Sequence, residues 1–388
     1  MIQLGIETLL KEQVNLLKGQ RVGLLTNTTG LDSRFRSTID LLNADPAIYL
    51  TALFGPEHGI RGDGREGAAI NSGTDPVTGL PVYSLYGETR KPTPAMLEQV
   101  DCVVVDLQDI GVRYYTFIST LSLVMEACME NSKSVIVLDR PNPIGGVTRE
   151  GNLIEKPLAS FVGMHPIPNR HGLTIGELAQ VYKFEFGLDC PLTVVPMAGW
   201  NRSMYFHETG LSWVQPSPNS TGEDMALLYP GMCLIEGTTL SEGRGTTRPF
   251  EVVGAPYIDS THLAREFNRL GLPGVLARPT SFVPSYSKFE GKLCRGIQIH
   301  ITDRKIVQSY KTGLSVLGLI ASMYPTDFTF RGDDERCMFN LLAGTMRLRR
   351  MVLANDFGSF FDECQEVCGA FSRKVAPYLL YQVQGGAF

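Results

Sequence analysis

The sequence predicts an α/β protein, in which a Rossmann-like, doubly wound and mainly parallel sheet is followed by a smaller α+β domain. Nearly continuous apolar runs alternate with helix-length segments in the first half of the chain, as buried parallel strands do. From about Pro230 the connections become longer and rich in Gly, Thr and Pro. A length of 388 residues also exceeds what one core usually supports. We therefore predict two domains, 1–228 and 229–388, with a boundary placed loosely between Ser217 and Glu236.

Five apolar runs are predicted to be the strands of the parallel sheet. They are 21–27 (RVGLLTN), 49–54 (YLTALF), 102–107 (CVVVDL), 134–139 (SVIVLD) and 192–197 (LTVVPM). Each is short enough for a strand and is followed by polar, Pro or Gly residues. Their carboxyl ends are where an open α/β sheet binds ligands.

Helices are predicted between these strands and in the second domain. The first is a short amphipathic helix within 1–18 that Gly19 ends. Thr174 followed by Glu177 is the signature of a capping box. The other predicted helices are 33–42, 117–130, 174–186, 260–270, 307–321 and 334–342, and one more strand is predicted at 296–302 (GIQIHIT).

Composition excludes several classes of protein. The net charge is −5 and no dense block of Lys and Arg is present, so we expect no nucleic-acid partner. The eight cysteines are scattered without a CxxC or a zinc-type spacing, and we expect them to be core residues. No basic and apolar leader is visible and no window approaches 18 apolar residues, so the expectation is a soluble, cytoplasmic protein without membrane insertion.

The stretch FGPEHGIRGDGREG, which follows the second predicted strand, holds the leading candidate for a functional residue. Glu57 lies between the rigid Pro56 and His58, on a loop too rich in Gly to be helical. A carboxylate at this place is interpreted as one that the loop holds in a fixed position, as a functional group requires. The alternative interpretation is a charged surface turn.

Polar clusters also follow other strands. DLQDIGVRYYT follows the third, DRPNPIGG follows the fourth, and the loops NRH and WVQPSPN come later. His171 precedes a helix, whose N-terminus disfavours imidazole protonation. The alternatives are a local Asp109–Arg113 ion pair, plain proline turns, a structural His171 and a Trp213 that fills core. The candidates in these clusters are Asp106, Asp109, Arg113, Tyr114, Asn142, His171 and Asn219.

The loop LIEGTTLSEGRGTTRPFE, residues 234–251, is the main candidate of the second domain. It combines Glu236 and Glu242 with Arg244 and Arg248 among three glycines. Arginines in such a loop can bind a carboxylate or a phosphate through two hydrogen bonds. The alternative interpretation is a surface turn with solvated charges.

Two patterns are rejected as sites. Gly62, Gly64 and Gly67 spell GxGxxG, but a further loop follows them where a dinucleotide fingerprint requires a helix. His58, Asp106, Asp109 and His171 lack an HxH or HExxH spacing, so no metal is predicted. We expect no cofactor.

The residue chemistry favours acid/base cleavage of a glycosidic bond. Several carboxylates are expected at one cleft with Tyr, Asn and Arg, and neither a nucleophile-elbow Ser nor a Cys/His signature is present. Two alternatives stay open. One is a non-catalytic sugar- or muropeptide-binding protein, and the other is a phosphatase or sugar-phosphate hydrolase that uses the loop 26–30 and the arginines.

Eight segments together resemble the NamZ-type exo-β-N-acetylmuramidases, formerly a family of unknown function. The resemblance runs from about Gly19 to at least His300, and the last segment, about 338–388, has no recognised match. It implies a Rossmann-like domain and a smaller domain with a cleft between them. It also implies release of N-acetylmuramic acid from non-reducing ends of peptidoglycan fragments, hence a role in cell-wall degradation and recycling, and would allow a periplasmic or secreted location. The segments are GPEHGIRG, DLQDIGVRYYTFISTL, DRPNPIGG, NRHGLTIGELA, WVQPSPN, YPG, EGTTLSEGRGTTRPFE and VGAPY.

The resemblance also assigns roles to residues. The Glu of the PEHG motif falls on Glu57, the expected general acid, and we expect partial burial to raise its pKa. The second role is open: Asp109 or Glu242 could act as base, or Asp106 with Asp109 could orient the substrate's acetamido group. A cation is needed for the lactyl carboxylate of muramic acid. Its candidates are Arg113 and Arg244, and the other expected substrate-binding residues are His58, Asp106, Tyr114, Asn142, His171 and Asn219.

Overall fold

A computed structural model describes residues 1–61 and 72–383 and contains a seven-stranded and a three-stranded sheet. The order in the larger sheet is β3-β4-β2-β1-β5-β6-β7, and all neighbours are parallel except β3 and β4. Both the α/β class and the doubly wound parallel sheet are therefore confirmed. Its strands are β1 (Arg21–Thr26), β2 (Tyr49–Gly55), β3 (Gly73–Thr74), β4 (Pro81–Ser84), β5 (Cys102–Asp106), β6 (Ser134–Leu138) and β7 (Leu192–Val195).

The sheet is buried on both faces, as its continuous apolar strands predict. Alternate residues of β5 enter different cores: Val103 and Val105 belong to one cluster, and Cys102 and Val104 to the other. The helices of this half are α1 (Gly5–Thr8), α2 (Thr38–Ala44), α3 (Pro94–Leu97), α4 (Phe117–Glu130) and α5 (Ile175–Phe186).

Two predicted helices of this half differ from the structure. The amphipathic helix of 1–18 is only a short α-helical turn, which continues as a π-helical segment (Leu9–Gln13) and a 3₁₀ segment (Val14–Leu17). The helix predicted at 33–42 begins at Thr38. Asp32 accepts hydrogen bonds from the amides of Arg34 and Arg36, which fixes a turn in place of the first helical turn.

The second half contains an antiparallel sheet in the order β8-β10-β9, surrounded by helices. The predicted strand 296–302 is the core of β10, whereas the helix predicted at 334–342 begins at Met338. The first domain is predicted to end at residue 228, but this residue lies inside the helix Glu223–Met232. The domain boundary therefore stays a prediction. The elements are α6 (Glu223–Met232), β8 (Val252–Ala255), α7 (Ser260–Arg269), β9 (Val275–Phe282), β10 (Cys294–Ile301), α8 (Ser309–Met323), α9 (Met338–Ala343), α10 (Arg347–Ala354) and α11 (Gly358–Val375).

After α11 the chain returns to the larger sheet. The Tyr381 hydroxyl donates a hydrogen bond of 2.6 Å to Asp139 Oδ2, just beyond β6. Thr174 Oγ1 donates to the same oxygen, and the Gly176 amide donates to Oδ1, both at 2.8 Å. Because Asp139 is completely buried, the pKa of its carboxyl rises to about 7 despite these donors. The C-terminal segment is therefore attached to a titratable group inside the fold.

This carboxyl predicts a pH dependence of stability. Its pKa is 3.8 ordinarily and about 7 in the fold, so the stabilisation gained by holding the proton is complete below pH 3.8. It is lost as the pH rises through about 7, and its upper bound is about 4 kcal/mol. We expect Asp139→Asn to remove this fall in stability, measured as the midpoint of urea unfolding at pH 5 and pH 8. The control is Asp362→Asn, at an exposed position of α11. Equal pH dependence of stability in wild type and Asp139→Asn would contradict the prediction.

The eight cysteines are all buried and unpaired, which confirms their predicted place in the core. Over residues 1–61 and 72–383, no helix has both the length and the apolar character needed to span a membrane.

Candidate active site

A cavity of about 360 Å³ lies where the carboxyl ends of β2 and β5 meet the second half of the chain. This is the edge at which parallel sheets bind ligands. Both halves therefore contribute to its wall. The residues that line it are Glu57, His58, Tyr86, Arg90, Tyr114, Tyr115, Thr116, Phe117, Ser160, Phe161, Val162, Ser217, Asn219, Ser220, Tyr229, Cys233, Glu236, Arg244, Phe250, Met338, Leu341 and Leu342.

The turn after β2 carries Glu57 and His58 into this cavity. His58 has a φ of 75° and Gly59 a φ of 74°, and Gly59 donates its amide hydrogen to the Pro56 carbonyl. A non-glycine residue in the left-handed region costs about 1–3 kcal/mol, and such residues cluster at functional sites. The tight turn reverses the chain directly behind Glu57. Gly62, Gly64 and Gly67 of the rejected fingerprint lie outside the described residues.

The Glu57 carboxyl is held by the residue that precedes helix α4. Thr116, the N-cap residue of α4, donates its hydroxyl hydrogen to Glu57 Oε2 at 2.9 Å. Among the described residues, Oε1 has no hydrogen-bond partner, and the side chain is partly buried. One oxygen is thus positioned by the protein and the other is available to a substrate.

A second carboxyl, that of Glu236, reaches the cavity from the other half. It precedes the Gly-rich loop 237–249 and forms an ion pair with Arg244, whose Nε donates to Glu236 Oε1 at 3.1 Å. Its side chain exposes 21% of its surface, and it lines the cavity. Burial raises the pKa of Glu236, while Arg244 opposes that rise. Together with Glu57 it completes the set of described acidic residues that line the cavity.

Four of the other predicted site residues also line the cavity. The Tyr114 hydroxyl donates to the Pro230 carbonyl, which joins the end of β5 to α6. Asn219 Oδ1 accepts a hydrogen bond of 2.9 Å from the Tyr286 hydroxyl. With His58 and Arg244 they place residues from both halves around Glu57.

Asp109 and His171 contact each other outside the cavity lining. His171 Nδ1 accepts the Leu173 amide hydrogen at 3.2 Å, so its other nitrogen, Nε2, carries the proton and donates to Asp109 Oδ2 at 3.1 Å. The Gly111 amide donates to the same oxygen at 2.7 Å. Both side chains are buried, and they fix the loop after β5.

Asp106, Asn142 and Glu242 are also buried outside the cavity lining. Arg140 Nε donates to Asp106 at 2.5 Å, and Asn142 Nδ2 donates to the Leu173 carbonyl at 2.9 Å. Glu242 pairs with Lys288 at 2.7 Å and with Arg244 at 3.3 Å. Their contacts are to the protein itself, so the roles expected of them in contact with substrate have no geometric support here.

Arg113 is a structural cation. The Nη1 atom donates to the carbonyls of Asn152 and Ile167, and Nη2 donates to those of Leu342 and Ala343, over distances of 2.6–3.2 Å. Burial lowers the pKa of this guanidinium, which is 1% exposed. Arg113 therefore attaches the loop after β5 to α9, and its hydrogen-bonding groups face carbonyls within the fold.

Trp213 fills core. Its ring packs edge-on against Phe206 at a centroid distance of 5.2 Å, and Nε1 donates to the Ser220 carbonyl at 2.9 Å. Ser220 in turn contacts the hydroxyl of the cavity residue Tyr115 at 3.0 Å.

Across the described ranges, no three His, Cys, Asp or Glu side chains are grouped so that they could hold a metal ion.

Models of one protein family match nearly the whole chain. The N-terminal model of the exo-β-N-acetylmuramidase NamZ matches residues 22–224, and the C-terminal model matches 227–381. The chain belongs to the NamZ family of exo-β-N-acetylmuramidases. The resemblance is confirmed, and the C-terminal model extends it to residue 381, through most of the segment 338–388 in which no motif is recognised from the sequence. The predicted enzyme class, a glycosidase, is confirmed as well.

Relatives of the NamZ family agree with this match over the full length. The peptidoglycan β-N-acetylmuramidase NamZ of Bacillus subtilis (strain 168) is 48% identical over 98% of this chain and 91% of its own length. Two crystal structures of DUF1343 family proteins from Bacteroides fragilis NCTC 9343 share the fold. One is 42% identical with a TM-score of 0.91 and covers 98% of this chain and 99% of its own. The other is 30% identical with a TM-score of 0.80 and covers 99% and 100%.

Several cavity residues were not selected from the sequence. Glu236 belongs to the predicted loop 234–251, but nothing in its spacing separates it from Glu242. Thr116 follows a strand-end cluster, and its N-cap position was a usable signal. Arg90 and Phe161 lie in connections without a motif, and only the fold brings them to Glu57.

Proposed function

We propose that this cavity hydrolyses the β-glycosidic bond of an N-acetylmuramic acid residue at the non-reducing end of a peptidoglycan fragment and releases the monosaccharide. The observation that carries the proposal is the pair Glu57 and Glu236 on the wall of one cavity. Most glycoside hydrolases use two such carboxyl groups. The names of the family and of its Bacillus relative supply the sugar.

The proposed role of Glu57 is proton donor to the departing glycosidic oxygen. The Thr116 hydroxyl holds Oε2, and Oε1 carries the proton toward the substrate. As the bond between the anomeric carbon and this oxygen breaks, the proton goes to the oxygen, and positive charge develops on the sugar. The leaving saccharide then departs as a neutral alcohol. Water forms the new bond to the anomeric carbon and loses a proton, which balances the proton that Glu57 gave and yields free N-acetylmuramic acid.

The proposed role of Glu236 is to face that positive charge as a carboxylate. Arg244 holds the Glu236 carboxyl through Nε, and Glu242 with Lys288 supports Arg244 from behind. This assignment replaces Asp109 and Glu242, which do not line the cavity, as the second acidic group. In this proposal the negative charge of Glu236 comes from the second half of the chain, whereas the proton donor Glu57 belongs to the first half.

The shape of the cavity suits a terminal sugar. A volume of about 360 Å³ is near the lower limit of small-ligand pockets, about 300–1,000 Å³. Aromatic side chains such as Tyr115, Phe117 and Phe161 offer apolar surface for a sugar ring.

The unpaired state of all eight cysteines favours a reducing compartment, in line with the cytoplasmic location expected from the sequence.

The test is the release of monosaccharide from defined disaccharides. We expect the wild-type protein to release N-acetylmuramic acid from MurNAc-GlcNAc and to leave GlcNAc-MurNAc, the reversed order, intact. The products are separated by chromatography coupled to mass spectrometry. Binding of MurNAc-GlcNAc without release would indicate a sugar-binding protein, and cleavage of both disaccharides would contradict the proposed exo-specificity for muramic acid.

A further inference from the structure

We propose that Arg90 binds the lactyl carboxylate of the terminal muramic acid and so determines the preference for this sugar over N-acetylglucosamine. The inference rests on the proposed function. The two sugars differ by the lactyl ether on O3, which adds a negative charge. A site that selects the muramic form therefore needs a positively charged group that is not already neutralised.

Arg90 lies at the wall that also carries Glu57. It is in the connection between β4 and α3 and lines the same cavity. Its guanidinium carbon lies 4.3 Å from the ring centroid of Phe161 and 5.7 Å from that of Tyr86. An aromatic support of this kind fixes the guanidinium plane and leaves its N–H edges for a ligand.

The other arginines considered for this role have their charges or donors engaged. Arg244 is paired with both Glu236 and Glu242. Arg113 donates to four backbone carbonyls and does not line the cavity. Within the described part of the cavity wall, Arg90 is the arginine without a carboxylate partner.

The geometry also matches the ligand chemistry. An exposed guanidinium presents two parallel N–H groups, which fit the two oxygens of a carboxylate. Hydrogen bonds to charged groups contribute more to affinity than hydrogen bonds between neutral groups do. Loss of such a contact lowers affinity by about 10- to 100-fold.

The experiment compares Arg90→Gln and Arg90→Lys with wild type on three aryl glycosides. These are the N-acetylmuramide, its lactyl methyl ester and the N-acetylglucosaminide. We expect Arg90→Gln to raise KM for the muramide about 10- to 100-fold with a much smaller change in kcat, and to leave kcat/KM for the neutral ester and glucosaminide near the wild-type values. Arg90→Lys keeps the positive charge but loses the two parallel N–H groups. Its KM for the muramide is expected to lie between those of wild type and Arg90→Gln. Arg350→Gln on exposed α10 is the matched control.

Binding of free N-acetylmuramic acid and N-acetylglucosamine by calorimetry tests the inference without turnover. A tighter wild-type affinity for the acid that disappears in Arg90→Gln supports it. An unchanged preference for the charged sugar in Arg90→Gln, in KM or in affinity, overturns it. The proposed function fails separately, if the wild type binds the acid through Arg90 but releases no sugar from MurNAc-GlcNAc.

Discussion

Glu57→Gln is expected to hydrolyse MurNAc-GlcNAc about 1,000-fold more slowly than the wild-type protein, because a positioned general acid contributes about 10²–10⁴-fold. Glutamine retains the size of the side chain and can still accept the Thr116 hydrogen bond. It has no proton to give to the departing sugar oxygen. The loss is therefore expected in kcat, with little change in KM or in the midpoint of urea unfolding.

An activated leaving group separates proton donation from other roles of Glu57. A 4-nitrophenyl group departs without protonation, so we expect Glu57→Gln to lose much less activity on 4-nitrophenyl N-acetylmuramide than on the disaccharide. Glu366→Gln, an exposed change on α11, controls for the effect of the chemical substitution alone. Equal losses on both substrates would contradict the assignment of Glu57 as the acid.

Glu236→Gln is expected to lower kcat/KM by a factor of about 100–1,000 on both substrates alike. The carboxylate that faces the developing positive charge is needed whichever leaving group departs. Burial raises the pKa of Glu236, and the ionised form is the one required, so activity should rise with pH as this group loses its proton. In Glu236→Gln this acidic limb of the kcat/KM profile should disappear.

The two variants together decide between opposite assignments. If Glu236→Gln were the variant that an activated leaving group rescues, Glu236 would be the proton donor, a role for which its raised pKa is also suitable. Exogenous azide gives an independent reading through the configuration of the glycosyl azide that it forms, because azide attacks the sugar from the face that the removed carboxylate occupied. An α-glycosyl azide from Glu57→Gln together with a β-glycosyl azide from Glu236→Gln would reverse the roles.

The strands were the most predictable part of the fold. Apolar runs buried on both faces leave little choice of structure, and all five predicted strands form within two residues of their expected ends. Helix starts were less predictable where side chains compete with the helix for backbone hydrogen bonds. Asp32 delays α2 in this way. The strands Pro81–Ser84 and Val252–Ala255 are too short to give a pattern of their own.

The site was predictable to the extent that it follows from strand ends. That rule located Glu57, His58 and Tyr114 at one cavity. The same edge is also where the sheet meets helix N-termini and loops, whose buried polar groups need partners. Asp106 and Asn142 serve such groups, and sequence position alone does not distinguish the two uses.

The arginine proposed to bind the lactyl carboxylate could not be identified from sequence motifs. Arg113 and Arg244 were chosen because they occur in polar clusters, but each cluster neutralises or engages its own arginine. Arg90 lies among residues that carry no motif, and its aromatic support comes from Phe161, which is distant in the chain. A property such as an unpaired charge becomes visible only when the tertiary contacts are known.

The division of the cavity wall between the two halves of the chain has a consequence for how new specificities could arise. The proposed proton donor, Glu57, lies in the turn after β2, and its proposed counterpart, Glu236, lies before the Gly-rich loop. Hydrogen bonds from Tyr114 to Pro230 and from Arg113 to α9 fasten these parts together. Gene fusion or recombination between relatives at the junction would therefore exchange half of a reaction centre. A functional hybrid would have to inherit the fastening contacts along with the two acids.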